Sequence, residues 1–423
     1  MNRIARWYKA TLPLLLFLPA SLFAQNLTLQ QVQDMARKNY PSIKQKDLVR
    51  KTADLNISNI SKNYLPQLSV NGQASYQSDV TKIDVDFPGI KIDAPSKDQY
   101  KFSADINQLI YDGGATRYQK TLANLNAKVE DQQVEVELYA VKQRINDIYF
   151  GILYTDELIK QAELVQKDIN TGLKRVDAQV QNGVAFRSSS NILKAELLKT
   201  QQRVVELQSN RKALTSTLSI FIGESIGESA AFQSPGTAAD TSNNIRRPEV
   251  TLFENQNALL SQQNKLIKAK NLPKTSLFFQ GGYGRPALNL LKNDFETFYI
   301  TGVRFNWSLS GLYTKKNEKA IVKLNQDIVD AKRETFLMNT NAQLVTQKSE
   351  IEKLQDLVKS DAEIIELRQS VTAAAKAQLE NGVMTASDYL VEVNAEDQAR
   401  QVLIGHEVQL QQAKIKYQTI KGE

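Results

Sequence analysis

The feature that most constrains this chain is that it is written twice. NYPSIKQKDLVRKTADLNISNISKNYLPQ at residues 39–67 is matched by RRPEVTLFENQNALLSQQNKLIKAKNLPK at 246–274, with Pro41 and Pro66 answering Pro248 and Pro273. INQLIYDG at 106–113 is matched by FNWSLSGL at 305–312, and Asn182-Gly183-Val184 by Asn381-Gly382-Val383, both at an offset of 199. The offset is 207 before residue 66 and 199 after residue 106, so the halves differ by eight residues in one place. A repeat that keeps register over such separations means one supersecondary unit used twice, and it governs every local reading that follows.

Each half reads in the same order. Thr28-x-x-Gln31 is a capping box that opens a helix; Pro41 interrupts it, and a second helix is predicted to about Asn63. QLSVNGQASYQ then alternates strictly, with Leu68, Val70, Gly72, Ala74 and Tyr76 on one face, which predicts a strand of about ten residues. After a polar loop, Tyr100, Phe102, Ala104 and Ile106 alternate with Lys101, Ser103, Asp105 and Asn107 in a second strand. TSLFFQGGYG and FYITGVRFNWS predict the same pair in the second half, less cleanly, because Phe278 and Ile300 fall on the polar side. From about Thr116 to Gln181 there is no proline and almost no glycine, and Val134, Leu138, Val141, Ile145, Ile148 and Ile152 step by four and three, a heptad pattern. About 65 helical residues would make a rod of about 100 Å. The returning helix keeps the rule with Leu193, Leu197, Val204, Leu207, Leu214, Leu218 and Phe221. Asn-Gly-Val is then the reversal at the far end of each helical hairpin, with glycine supplying the positive φ. The expected division is 25–223 for the first repeat, 224–247 for a small, polar connecting segment and 248–423 for the second repeat.

Residues 1–24 read as a secretory leader: Arg3, Arg6 and Lys9 precede the apolar run TLPLLLFLPASLF, and Ala24 stands before Gln25. That run is too short for a bilayer, which needs roughly 20 residues. The net charge of +7 falls to +4 once those three cations are removed, which gives no electrostatic case for a nucleic-acid partner. There is no cysteine, hence no disulfide and no thiolate ligand. With no apolar helix to span lipid, membrane insertion would require a closed β-barrel. Four ten-residue strands are long enough to cross at a tilt, but single-chain barrels need at least eight. The strands of several chains must therefore combine. Tyr76, Tyr100, Tyr111, Tyr283, Tyr299 and Trp307 stand on the apolar face as an aromatic girdle would.

These features together resemble the TolC-like outer-membrane efflux protein family. The resemblance covers nearly all of the chain after residue 24. It rests on LTLQQVQDMARKNYPSIKQK, the Leu65-Pro66 and Leu272-Pro273 exits, YDGG at 111–114, Arg247-Pro248-Glu249 and the paired turns. One departure is SLSGLY at 308–313, where the family has an aromatic and paired glycines. The resemblance implies an α+β membrane protein: coiled-coil hairpins forming a periplasmic α-barrel, and four strands per chain in a shared, trimeric, twelve-stranded outer-membrane β-barrel. It implies an export duct for small molecules or proteins, a homotrimer working with a periplasmic adaptor and an inner-membrane transporter. The competing architecture, a periplasmic coiled-coil adaptor or scaffold without a pore, should show one hairpin flanked by compact β-domains.

Site residues follow from the resemblance as well. Asn182, Gly183, Val184, Asn381, Gly382 and Val383 would be the adaptor-docking tips. Acids just past the second turn would ring the periplasmic entrance; Asp388 stands at one matching position, Val391 at the other, and Glu392 one turn after Asp388. No catalytic residue, cofactor or metal is expected. His406 has no cysteine partner and reads as a solvated or packing residue; Gly281-Gly282-Tyr283-Gly284 imitates a phosphate loop but falls in a strand. Asp79, Asp84, Asp86, Asp93 and Asp98 crowd the first strand–strand loop, as solvated acids or a surface divalent-cation site.

Overall fold

The computed structural model describes residues 26–81, 94–236, 244–290 and 292–423. The predicted leader lies outside them, as do Asp84, Asp86 and Asp93. The elements in chain order are β1 (Asn26–Leu27), α1 (Leu29–Asn39), α2 (Ile43–Ser61), β2 (Gln67–Tyr76), β3 (Asp98–Tyr111), α3 (Ala115–Gln181), α4 (Arg187–Ile222), β4 (Ala231–Phe232), α5 (Pro248–Lys270), β5 (Lys274–Arg285), β6 (Glu296–Asn306), α6 (Gly311–Glu380) and α7 (Ala386–Lys421). The chain falls into two units. One holds Ile148–Gly236, Arg368–Ile404 and the described chain up to Met35; the other holds Ala36–Asp147, the described part of Thr237–Leu367, and Gly405–Glu423.

In the second of these units β2, β3, β5 and β6 form one antiparallel sheet in that order. Its register aligns Val70 with Ala104, Ala104 with Gly281, and Gly281 with Tyr299, so the apolar positions share a face. That face is uncovered: Leu68 is 75% exposed, Val70 67%, Phe102 60%, Val303 66% and Phe305 64%. At one end Phe295 stacks on Tyr283 and leans on Tyr100, while the Arg285 guanidinium covers the Tyr100 and Phe295 rings and pairs with Asp98. Tyr299, near the start of β6, sits opposite Gly281 and stacks on Phe279, whose ring lies over that glycine. No helix among the described residues is long and apolar enough to cross a membrane.

Sheet and helix are joined by two different turns. After β3, Gly113 and Gly114 take φ of 71° and 83°, and Asp112 accepts from the N–H groups of Gly114 (2.9 Å) and Thr116 (2.7 Å) and from the Tyr64 hydroxyl (3.1 Å). Burial alone would raise the Asp112 carboxyl; these hydrogen bonds outweigh it and hold the group below the usual carboxylate range. After β6 the chain has no aspartate. It enters α6 through Gly311, where a Cβ would stand 2.4 Å from Asn271 Oδ1, and the Trp307 indole donates to the Asn271 carbonyl at 3.2 Å. The departure at SLSGLY is thus a second, sterically defined solution to the same bend.

The helices pack as the heptads require. Val134, Leu138, Val141, Ile145, Ile148 and Ile152 are all buried. In the unit holding the hairpin ends, Val165, Ile169, Leu173 and Val176 of α3 meet Leu193 of α4, Ala375 and Leu379 of α6, and Ala386, Tyr389, Leu390 and Val393 of α7. The same unit contains a feature absent from the sequence reading. Residues 231–232, expected in an unpatterned connection, form β4 and pair in parallel with β1. Arg211 of α4 secures the segment by donating to Asp156 (2.5 Å) and to the carbonyls of Glu228 (2.8 Å) and Ala230 (2.7 Å). The fully buried Tyr149 shares its one hydroxyl proton between the Leu27 and Gln233 carbonyls, each at 2.7 Å, with its ring edge-on to Phe232.

Tyr149→Phe leaves the buried Leu27 carbonyl and the part-buried Gln233 carbonyl without that donor and should cost about 1–2 kcal/mol, read as faster proteolytic cleavage within 224–236. Burial pushes Tyr139 and Tyr149 up to about 12 from an ordinary 10.0. Above pH 10 the unfolded chain therefore releases these protons first, and stability should fall progressively as pH rises from 10 toward 12. Alkaline unfolding followed with tyrosinate absorbance checks it.

Candidate functional site

The two predicted turns are built alike, bond for bond. In the first, Gly183 has φ 74°, its N–H donates to the Val180 carbonyl at 3.1 Å, and the Val184 N–H reaches Gln179 O at 2.8 Å. In the second, Gly382 has φ 71°, donating to Leu379 O at 3.1 Å while the Val383 N–H reaches Gln378 O at 2.9 Å. This paired pattern around a left-handed residue is a Schellman ending, which satisfies carbonyls the helix would otherwise leave free. A Cβ on either glycine would meet nothing within 4 Å. Backbone conformation alone demands glycine here, not crowding. The Asn381 side chain adds a bond to Ala377 O at 2.8 Å.

One hairpin also completes the other. Gln179 donates its side-chain amide to the carbonyls of Leu379 and Glu380, both at 3.3 Å, and Arg175 pairs with Glu380. Behind the tips, Asp177 accepts from Ser190 and lies 3.6 Å from Lys194. These links span α3, α4 and α6 and fix the spacing of the turns.

Beyond the glycines the halves diverge. Thr385 precedes α7 and caps it: the Asp388 N–H donates to Thr385 Oγ1 (3.2 Å), and the Thr385 hydroxyl donates to Asp388 Oδ2 (2.7 Å). At the equivalent position before α4 stands Phe186, which makes no capping bond and is 83% exposed. Val184 and Val383 are also exposed. A bare phenylalanine at an N-cap forgoes about 1 kcal/mol that serine or threonine would supply, so its presence at this end is not explained by local stability.

Asp388 is exposed, and Glu392 is half-buried with Arg368 Nη1 at 3.4 Å and Thr372 Oγ1 donating to its backbone carbonyl at 3.4 Å. The two acids lie one turn apart on α7, but one is engaged as a cap and the other by an arginine. Val391 is exposed. Two residues outside the sequence reading organise this end. Tyr389 is 1% exposed, packed where a Cβ on Gly172 would come within 3.4 Å of its ring, and burial raises its hydroxyl pKa. Asp397 accepts from Gln161 (3.1 Å) and Arg203 (3.0 Å), joining α7 to α3 and α4. Gln401, one turn on, also donates to Asp397, but the partners that tie it to α3 and α4 come from the other half of the chain and leave no local mark in the sequence.

The remaining candidates resolve as follows. His406 Nδ1 is 2.6 Å from Asp361 Oδ2, a specific pairing of α7 to α6. Gly281–Gly284 lie within β5. Asp79 accepts from the Val80 N–H at 2.9 Å. Among the described residues no group of His, Asp or Glu is arranged to hold a metal ion.

Residues 32–224 match the family model described as outer membrane efflux protein. No curated protein sequence matches the chain. Solved structures match over nearly its whole length. The outer membrane protein VceC of Vibrio cholerae aligns with TM-score 0.64 and 14% identity, over 92% of this chain and 95% of that one. The outer-membrane channel OprN gives 0.67 and 15%, over 93% and 90%. The MtrE outer membrane channel of Neisseria gonorrhoeae, in its open state, gives 0.66 and 15%, over 93% and 89%.

Two substitutions separate cap from turn. Thr385→Ala should weaken the first turn of α7 by about 1 kcal/mol, and Gly382→Val should strain the reversal by about 1–2 kcal/mol. Amide exchange should quicken at Asp388 and Tyr389 in the first variant and at Gly382 and Val383 in the second.

Proposed function

We propose that this chain, whose residues 32–224 match the outer membrane efflux protein family, lies in the outer membrane, extends into the periplasm and is the passive exit duct of a tripartite efflux or type I secretion system. The observation that carries this reading is the sheet: four strands of 10 to 14 residues, one face of large exposed apolar side chains, the other face polar. In water such a face is a liability; against acyl chains it is stable. The outer edges of β2 and β6 end the sheet without a further strand among the described residues. In lipid those edges need partners, and three copies would supply twelve strands, more than the minimum of about eight for closure. Exposed Leu324, Met338 and Val345 on α6, spaced by multiples of seven, support a homotrimer in which neighbouring helices cover one another.

On this reading Asn182, Gly183, Val184, Asn381, Gly382 and Val383 dock a periplasmic adaptor, which links the duct to an inner-membrane transporter. The exposure of both turns and of Phe186 supports that role. Asp388 belongs at the periplasmic mouth, where its exposure leaves its charge facing water. Glu392, compensated by Arg368, adds less field there. Transport is then a matter of pore geometry and electrostatics, and the transporter supplies the energy.

Crosslinking of detergent-extracted protein should give a three-chain species from the outer-membrane fraction; monomer alone, or recovery in the soluble periplasmic fraction, would sink the proposal. Gly183→Val combined with Gly382→Val should lower export while that species persists, and unchanged efflux would count against docking at the tips.

A further inference from the structure

The polar face of the sheet carries an irregularity that the duct reading does not use. Phe278 and Phe298 point to this side, each directly across the ladder from a glycine, Gly302 and Gly282 respectively. A Cβ at Gly282 would stand 2.6 Å from the Phe298 ring, and one at Gly302 would stand 3.2 Å from the Phe278 ring. Each ring therefore lies down over its glycine instead of projecting. Each is also covered by a cation: Lys101 Nζ sits 4.9 Å from the Phe298 centroid, and the Arg304 guanidinium 4.7 Å from that of Phe278. Phe298 is only 8% exposed under its lid.

Neither cation forms an ion pair among the described residues, although Lys101 Nζ lies 3.5 Å from Gln280 Oε1 and its charge is felt by Asp105 across the same face. Asp105, on the same face, is taken by Asn71 (2.6 Å), Gln280 (2.5 Å) and Ser103 (3.3 Å). Glu296 is taken by Lys292 at 2.9 Å. The two rings are four ladder positions apart along β5, or about 13 Å.

We propose that these two aromatic-seated cations, Lys101 on Phe298 and Arg304 on Phe278, form an anion-attracting lining of the exit whose ligands are anionic aromatic solutes. The proposal rests on the duct reading, in which the polar face meets water. A cation seated on a ring keeps its charge, because the ring quadrupole attracts without neutralising. Its aliphatic stem covers the apolar surface while its head stays in water. An arriving sulfonate or carboxylate meets the ammonium or guanidinium, and the solute's own ring can stack on the guanidinium plane. Low-dielectric walls around a narrow aqueous path focus that field. Closure by copies of the chain repeats each seat at one height, so the attraction acts as a ring.

The test is block of single-channel current in planar bilayers by pyrenetetrasulfonate, added from the side of the loop joining β5 and β6. The wild-type channel should be blocked, and the half-blocking concentration should rise by about tenfold in K101Q/R304Q, the size that losing two exposed ion pairs to the solute supplies. The charge-keeping exchange K101R/R304K should stay within about twofold of wild type. In wild-type channels alone, the half-blocking concentration should climb with salt as the charges are screened. Equal block in K101Q/R304Q channels, or block of wild type that ignores salt, would overturn the lining and leave the duct reading intact. Purified protein that opens no conductance at all would instead overturn the duct reading, and this lining with it.

Discussion

Hydrocarbon offers a peptide group no hydrogen-bond partner, and on the duct reading the rest of this molecule is organised around that fact. A sheet that shows Leu68, Val70, Phe102, Val303 and Phe305 to its surroundings is stable only where those surroundings are apolar, and an apolar medium does not tolerate open strand edges. On the duct reading, the sheet therefore closes with other copies of itself. A structure built from repeated copies needs each copy to leave and re-enter the sheet at one end, which is what the Asp112 turn and the Gly311 turn accomplish. The long helices begin from those turns, so the lipid constraint at the strands sets where the coiled coils start.

Duplication supplies two hairpins, but the halves have not remained equivalent. The glycine turns match in every backbone hydrogen bond, while the residues just after them have separated into a capped, charged start at Thr385 and Asp388 and an uncapped, greasy one at Phe186. Contacts between the halves follow the same division of labour. Gln179 of the first completes the carbonyls of the second, and Asp397 of the second neutralises Arg203 of the first. Each half has become a structural condition for the other.

Much of this was legible in the sequence because its signals are periodic. Strict alternation at 67–77 located β2 to within a residue, and the heptad from Val134 to Ile152 named a run of residues that are all buried. Glycine in Asn-Gly-Val announced a positive φ that both turns display. What was not legible depends on register or on distant partners. Phe278 read as an error in alternation; only the ladder, which sets it opposite Gly302 and under Arg304, shows why a ring is tolerated there. Two residues of β4 carry no period, and their pairing is specified by Tyr149, Arg211 and a strand at the opposite end of the half. The Thr385-x-x-Asp388 cap was present in the letters, but a reading of Asp388 as free charge passed over it.

The parallel pairing of Asn26–Leu27 with Ala231–Phe232 also imposes an order in time. A parallel bridge across so many residues closes a long loop, and the entropy of that closure is recovered only when the second strand exists. Tyr149 cannot find its second carbonyl until Gln233 has followed. The first strand thus lacks its partner until the whole helical hairpin that separates the two has been made. The seam that shuts this unit joins Asn26–Leu27 to Ala231–Phe232, so the first half of the protein cannot be finished until the second is about to begin.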